Sequence, residues 1–241
     1  MQLEEYLPAL RTTNARMDDA AAEALLAHGW SARVPGCPDW TLADLVRHVA
    51  GVQRRWAWIV RTRATDPGGY PEPSEHPDDE LLGWLDAQHA ELEAALAGAA
   101  PAEPVWTWAE QQDVAFVLRR QLHEAVVHTV DVEQVLGDVR PIPAAVGLDG
   151  LDEWLDVVVP ATLPGGPPHG AHPVTFRAVD AGAERTLFGG SRPFPIAALT
   201  GTAGDLLLTA WRRVPLEVLT VEGDGLQAEA MIDLVQRKGS P

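Results

Sequence analysis

Cysteine occurs once in the 241 residues, at Cys37, which rules out an intramolecular disulfide framework. Lysine is equally scarce: Lys238 is the only one among 18 basic residues, and the others are arginine. Basic charge as a whole is in deficit, with 35 acidic residues giving a formal net charge of −17. A surface of that sign suits neither the phosphates of nucleic acid nor anionic lipid. The acidic residues are spread along the chain, as on an ordinary solvated surface. No stretch approaches the roughly 18 uninterrupted apolar residues of a membrane-crossing helix. The start, Met1-Gln2-Leu3-Glu4-Glu5-Tyr6, is acidic and lacks the basic and apolar regions of a signal peptide. These absences predict a cytoplasmic protein that binds neither nucleic acid nor membrane. They leave the oligomeric state open.

What the chain does have, in its first half, is amphipathic helix. Leu3, Leu7, Leu10, Met17, Ala21 and Leu25 recur at steps of three and four, or their sum, predicting a helix from Leu3 to His28, with a break near Pro8 and a stop at Gly29. Val34 to Trp40 contains two prolines and a glycine and reads as a rigid loop. Thr41 with Asp44 forms a capping-box-like start. A second helix then runs to about Arg63, with Leu45, Val49, Val52, Trp56 and Val60 as its buried stripe. A proline-rich loop, Asp66 to Pro73, follows. The third helix spans Asp78 to Ala97 and the fourth Val114 to Leu136, ended by Gly137. Four such helices predict a four-helix bundle over residues 1–140.

The pattern changes after Arg140-Pro141-Ile142-Pro143. A helix is expected from Ala145 to Val159, then a loop from Pro160 to Pro173. Strand-like runs follow at Val174–Val179, Thr186–Phe188 and Ile196–Thr200. A helix from Leu206 to Arg213, a strand from Leu216 to Val221 and a helix from Leu226 to Val235 complete the chain. Residues 141–241 are therefore expected to form a small α+β domain.

The fourth helix carries the stretch richest in chemistry. Glu124 and His128 are four apart, so one helix face presents a carboxylate and an imidazole one turn apart. Such a pair can fill two corners of a metal's coordination sphere. The local sequence resembles a zinc-protease HExxH motif without being one. His123 and His128 are five apart and diverge by roughly 140° at about 100° per residue. His123 is expected at the surface or rim. Bundles build metal sites from facing helices, and His48, beside the stripe of the second helix, is the natural third ligand. Asp131, one turn beyond His128, is placed to orient that ring through its second nitrogen. Cys37 has no positive neighbour beyond Arg33 and reads as structural. Trp56 and Trp58, two apart, cannot both face the core, and one is a candidate to line the cleft near the metal.

Three patterns give the chain a family resemblance. One is Trp40-Thr41 opening the helix that leads to His48. The second is Glu124-Ala125-Val126-Val127-His128-Thr129-Val130-Asp131, an E-x-x-x-H-x-x-D arrangement. The third is Leu199-Thr200-Gly201-Thr202-Ala203-Gly204-Asp205 running on to Trp211-Arg212-Arg213, with Glu222-Gly223-Asp224 after it. Together they resemble the mycothiol-dependent maleylpyruvate isomerase family. The resemblance implies a DinB-like zinc four-helix bundle followed by a sterol-carrier-like C-terminal domain. It implies zinc held by His48, Glu124 and His128, mycothiol as the thiol cosubstrate, a small electrophilic substrate, and a functional arginine at Arg213 with Arg212 beside it.

Three protein ligands leave a coordination position open, the pattern of a catalytic zinc rather than a structural one. The expected activity is thiol-using S-transfer or cis–trans isomerisation of a small electrophile. The alternatives are a zinc hydrolase or lyase that activates water or substrate directly, and a non-catalytic binding or regulatory protein of the same fold.

Overall fold

The structure is a computed structural model and describes residues 1–71, 76–190 and 194–236. Glu72 and Pro73, the end of the expected proline-rich loop, lie outside the described residues. The chain divides into two compact units, Met1–Arg140 and the remainder from Pro141.

The first unit is built on four helices: α1 (Leu3–His28), α2 (Leu42–Thr62), α3 (Leu81–Ala97) and α4 (Val114–Leu136). α1 packs on α4 and α3, and α2 packs on α3 and α4, so the four close into a bundle. α1 continues through Pro8 without the expected break. α3 is preceded by a short 3-10 turn, Asp78–Glu80. α4 is capped at one end by the Asp113 carboxylate, which accepts from Phe116 N, and at the other by Gly137 in the left-handed conformation.

Near the start of α2 the core is Met17, Ala20, Ala21 and Ala24 of α1, Leu42, Leu45, Val46 and Val49 of α2, Leu81 and Leu85 of α3, and Val132 of α4. Buried Glu133 accepts from Arg16 Nε at 2.7 Å and from Arg140 Nε at 2.6 Å. The two guanidiniums tie α1 to the end of α4, and without them a buried carboxylate would be costly.

The segment expected as a loop is a small antiparallel ribbon, β1 (Arg33–Val34) and β2 (Cys37–Thr41), turned at Pro35-Gly36. Pro38 lies inside β2, which is tolerated because a two-stranded ribbon leaves an edge that needs no N–H.

The second unit opens with α5 (Ala144–Glu153), a π-turn over Trp154–Val158, and α6 (Val159–Thr162). The helical run therefore passes Pro160, expected to begin a loop. Pro160 stands in the first turn of α6, directly after the wider π-turn. Four strands follow: β3 (Val174–Ala178), β4 (Ala183–Leu187), β5 (Ala197–Gly201) and β6 (Thr220–Gly223), in sheet order β4-β3-β5-β6. β3 and β5 are parallel and the other pairs antiparallel.

Two further segments depart from expectation. Leu216–Val218 is a 3-10 turn and the strand begins only at Thr220, because Pro215 favours a turn start. α7 is Ala203–Ala210, so Arg213 lies beyond the helix. The chain leaves it through Arg212 at φ +60°. α8 (Gly225–Gln236) ends the described chain. α5 packs on α7 at a glycine crossing: a Cβ at Gly147 would stand 2.6 Å from Gly204 N and 2.8 Å from Ala203 C. Trp154, fully buried, meets Phe176 of β3 edge-on at 6.4 Å. Among the described residues, no helix is long and apolar enough to cross a membrane.

Candidate metal centre

β2 delivers the chain to α2 at Thr41, whose hydroxyl accepts from Asp44 N at 3.2 Å while the Asp44 carboxylate accepts from Thr41 N at 2.9 Å. This reciprocal cap fixes where α2 begins and how it is rotated. The hydrogen bonds from Thr41, aided by Arg47 and Arg33, hold the Asp44 carboxyl below its ordinary range. His48 lies in the second turn of the helix so anchored.

α4 supplies the other half. Glu124 and His128, one turn apart, lie on the face that meets His48. A single carboxylate oxygen, Glu124 Oε1, stands 3.3 Å from His48 Nε2 and 3.2 Å from His128 Nε2. All three donor atoms lie within 4.8 Å of one another. Two ligands of a tetrahedral zinc with bonds near 2.0–2.1 Å stand about 3.3 Å apart. The donor spacing and the donor chemistry, two imidazole nitrogens and one carboxylate oxygen, therefore fit a zinc ion. Exposure grades across the set: His48 keeps 34% of its side-chain surface in solvent, Glu124 23% and His128 8%. The trio is open on the His48 side and closed behind His128.

Behind His128, Asp131 Oδ2 lies 2.9 Å from Nδ1. Asp131 is fully buried. A carboxylate at Nδ1 keeps the proton there, so Nε2 is the nitrogen available as a donor. Without metal the pair of carboxylates favours a charged ring. Burial opposes this, but hydrogen bonds to Asp131 and Glu124 and their charges outweigh it, and His128 is pushed up to about 9. For Glu124, burial likewise opposes ionisation. Hydrogen bonds from His128 and His48, with the charges of His128 and Arg120, prevail and hold its carboxyl well below the usual range.

Three side chains near the site were not expected there. Trp40 of β2 sits against both imidazoles, with ring centroids 4.7 Å from His48 and 6.1 Å from His128. It takes the place expected of Trp56 or Trp58. Trp56 is buried and stacks on Trp106 at 6.0 Å, while Trp58 meets Tyr70 edge-on at 5.7 Å. Cys37, at the start of β2, has Sγ 3.7 Å from Asp131 Oδ2. Arg120, four residues before Glu124, donates from a terminal nitrogen to Glu124 Oε2 at 3.0 Å. Arg120 leaves a signal in the sequence, its four-residue spacing from Glu124. Trp40 is marked in the sequence only by the Trp40-Thr41 pattern, and its packing on the imidazoles depends on the ribbon, which the local sequence does not distinguish from a loop.

His123 corrects an expectation. It is fully buried rather than at the rim, and it is no part of the donor cluster. The helical divergence that excludes it from the site turns it into the bundle and not to solvent.

Arg212 and Arg213 lie in the second unit. Arg212 pairs with Glu229 at 2.8 Å and Asp233 at 3.2 Å, both carboxylates of α8. Arg213, its neighbour in sequence, instead donates to the Trp211 carbonyl at 2.9 Å.

Comparison with known proteins agrees with this architecture. Residues 10–133 match the family profile described as "Mycothiol maleylpyruvate isomerase N-terminal domain", and residues 145–230 match that described as "MDMPI C-terminal domain". No curated protein matches the sequence significantly. Two solved structures share the fold. One, of the mycothiol-dependent maleylpyruvate isomerase, has 16% identity and a TM-score of 0.68, covering 92% of this chain and 93% of that one. The other, of a histidine-to-alanine mutant of that enzyme, has 15% identity and a TM-score of 0.67 over the same shares. With both halves matched by its profiles, the chain belongs to the mycothiol maleylpyruvate isomerase family.

Proposed function

We propose that the protein is a mycothiol-dependent isomerase of a small unsaturated carbonyl compound, working at a zinc ion held by His48, Glu124 and His128. The observation that carries the zinc reading is the convergence of two imidazole nitrogens on one carboxylate oxygen at 3.3 and 3.2 Å. Family membership supplies the thiol and the reaction class.

Zinc bound there would supply a Lewis acid that keeps a thiol ionised at neutral pH. The chain's own residues do the rest. Asp131 fixes the tautomer and orientation of His128. Trp40 packs against the rings of His48 and His128, so neither is free to swing away. The half-exposed His48 side is where substrate and thiol enter. From the family resemblance, Arg213 is proposed as a functional residue able to bind a carboxylate of substrate or cofactor, for which a guanidinium fork is well shaped.

The reaction needs no net redox change. The thiol sulfur forms a bond to one alkene carbon, and the π pair moves onto the conjugated carbonyl. The former double bond can then rotate. When the pair returns, the carbon–sulfur bond breaks and the thiol leaves unchanged, with the alkene in the other geometry. Because the chemistry needs a reduced thiol, we place the protein in the cytoplasm.

Metal analysis of the purified protein tests the reading. Stoichiometric zinc in the wild type, lost in His48→Ala, is the expected result. Absence of zinc from both, or equal retention in both, would overturn it.

A further inference from the structure

We propose that Arg120 is a positioning residue of this site: it occupies the outer oxygen of Glu124, so that the carboxylate can offer a metal only one oxygen. The inference rests on the metal reading above and concerns how that site keeps room for a sulfur ligand.

The two oxygens of Glu124 are divided between different partners. Oε1 faces both imidazoles, and Oε2 accepts from Arg120 at 3.0 Å. The Arg120 side chain is 6% exposed, so this charge-assisted bond is made away from bulk water. A buried guanidinium without a carboxylate would be costly. Helix stability alone is a poor explanation for the pair. The stabilising order on a helix places the acid before the base, and here Arg120 precedes Glu124.

A carboxylate with both oxygens uncommitted can bind a cation through one or both. Chelation by both would take a second coordination position. Engaging Oε2 removes that option and leaves the position for another ligand. The charge acts in the same direction. Glu124 and Asp131 bring two negative charges to the cluster, and Arg120 offsets one of them. A divalent ion would then leave the site positive, which favours an anionic sulfur over neutral water. Arg120 thereby favours a thiolate as the added ligand, without touching it.

Cobalt(II) in place of zinc gives the test, because its visible absorption falls as coordination number rises. Wild type, Arg120→Met and Arg120→Gln are loaded with cobalt, their spectra recorded, and each titrated with mycothiol. Both variants should take up cobalt but absorb severalfold more weakly, and should bind mycothiol about tenfold less tightly, the scale of a lost outer partner at a metal site. The glutamine variant keeps a polar group without charge, so the claim stays testable if the methionine variant fails to fold. Wild-type spectra and wild-type thiol affinity in the folded variants would overturn the role of Arg120 while leaving the metal site standing. Failure of the wild type to take up cobalt would instead overturn the metal reading, and the proposal with it.

Discussion

Replacing Asp131 with asparagine should weaken metal binding at His128 by an amount that depends on pH. Asp131 Oδ2 lies 2.9 Å from His128 Nδ1 in a fully buried setting. It does two things to the imidazole. It makes Nε2 a better donor, and it raises the ring's affinity for a proton, helping to push His128 up to about 9. A protonated Nε2 cannot bind metal, so with His128 at about 9 proton competition near pH 7 should lower the apparent affinity of the proposed site by about a hundredfold. Asparagine relieves part of that competition, and at neutral pH the relief masks part of the damage. Above about pH 9 competition has gone in both proteins. What remains is the lost support of the ligand, worth about 10- to 100-fold, or roughly 1.4–2.7 kcal/mol. Competition against a chromophoric chelator, at about pH 7 and about pH 9.5, reads both effects. Wild-type affinity should climb with pH, the variant's should climb less, and the gap should be widest at high pH. A gap that vanishes at high pH, or a wild-type affinity that ignores pH, would rule out this role of Asp131.

In the metal-free protein His128 binds its proton more tightly folded than unfolded, so its contribution to stability is full below about pH 6.5 and is lost as pH rises through about 9. Thermal melts of metal-free protein should show that loss, and zinc-loaded protein should not. Gly147→Ala should destabilise the second unit by about 1–3 kcal/mol, since its Cβ would stand 2.6 Å from the Gly204 backbone. Hydrogen exchange that weakens in α5 and α7 while sparing α1 to α4 would bear this out, and unchanged protection would not.

The bundle is legible in the sequence because its four helices carry long three- and four-residue repeats, and the spacing of Glu124 and His128 survives folding unchanged. His48 is legible only with the bundle assumed, since no periodicity within α2 distinguishes a ligand from a packed histidine. Elements set by non-local pairing are less legible. The β1–β2 ribbon is two short strands around Pro35-Gly36, too brief for an alternating pattern, and the position of Trp40 is hidden with it. The strand expected from Leu216 begins later because apolar residues alone do not separate a 3-10 turn from a strand. His123 departs from expectation for a different reason: helical angle fixes which residues share a face, not whether the opposite face meets solvent. In α4, which contacts both α1 and α2, that other face is also inside.

On the proposed mechanism, a metal held by His48, Glu124 and His128 is what recruits the thiol. Titration calorimetry of mycothiol into zinc-loaded protein, metal-free protein and His48→Ala separates metal-dependent from metal-independent binding. Binding by the zinc-loaded wild type alone is the predicted result. Equal binding with and without zinc, or no binding to the zinc-loaded protein, would contradict it.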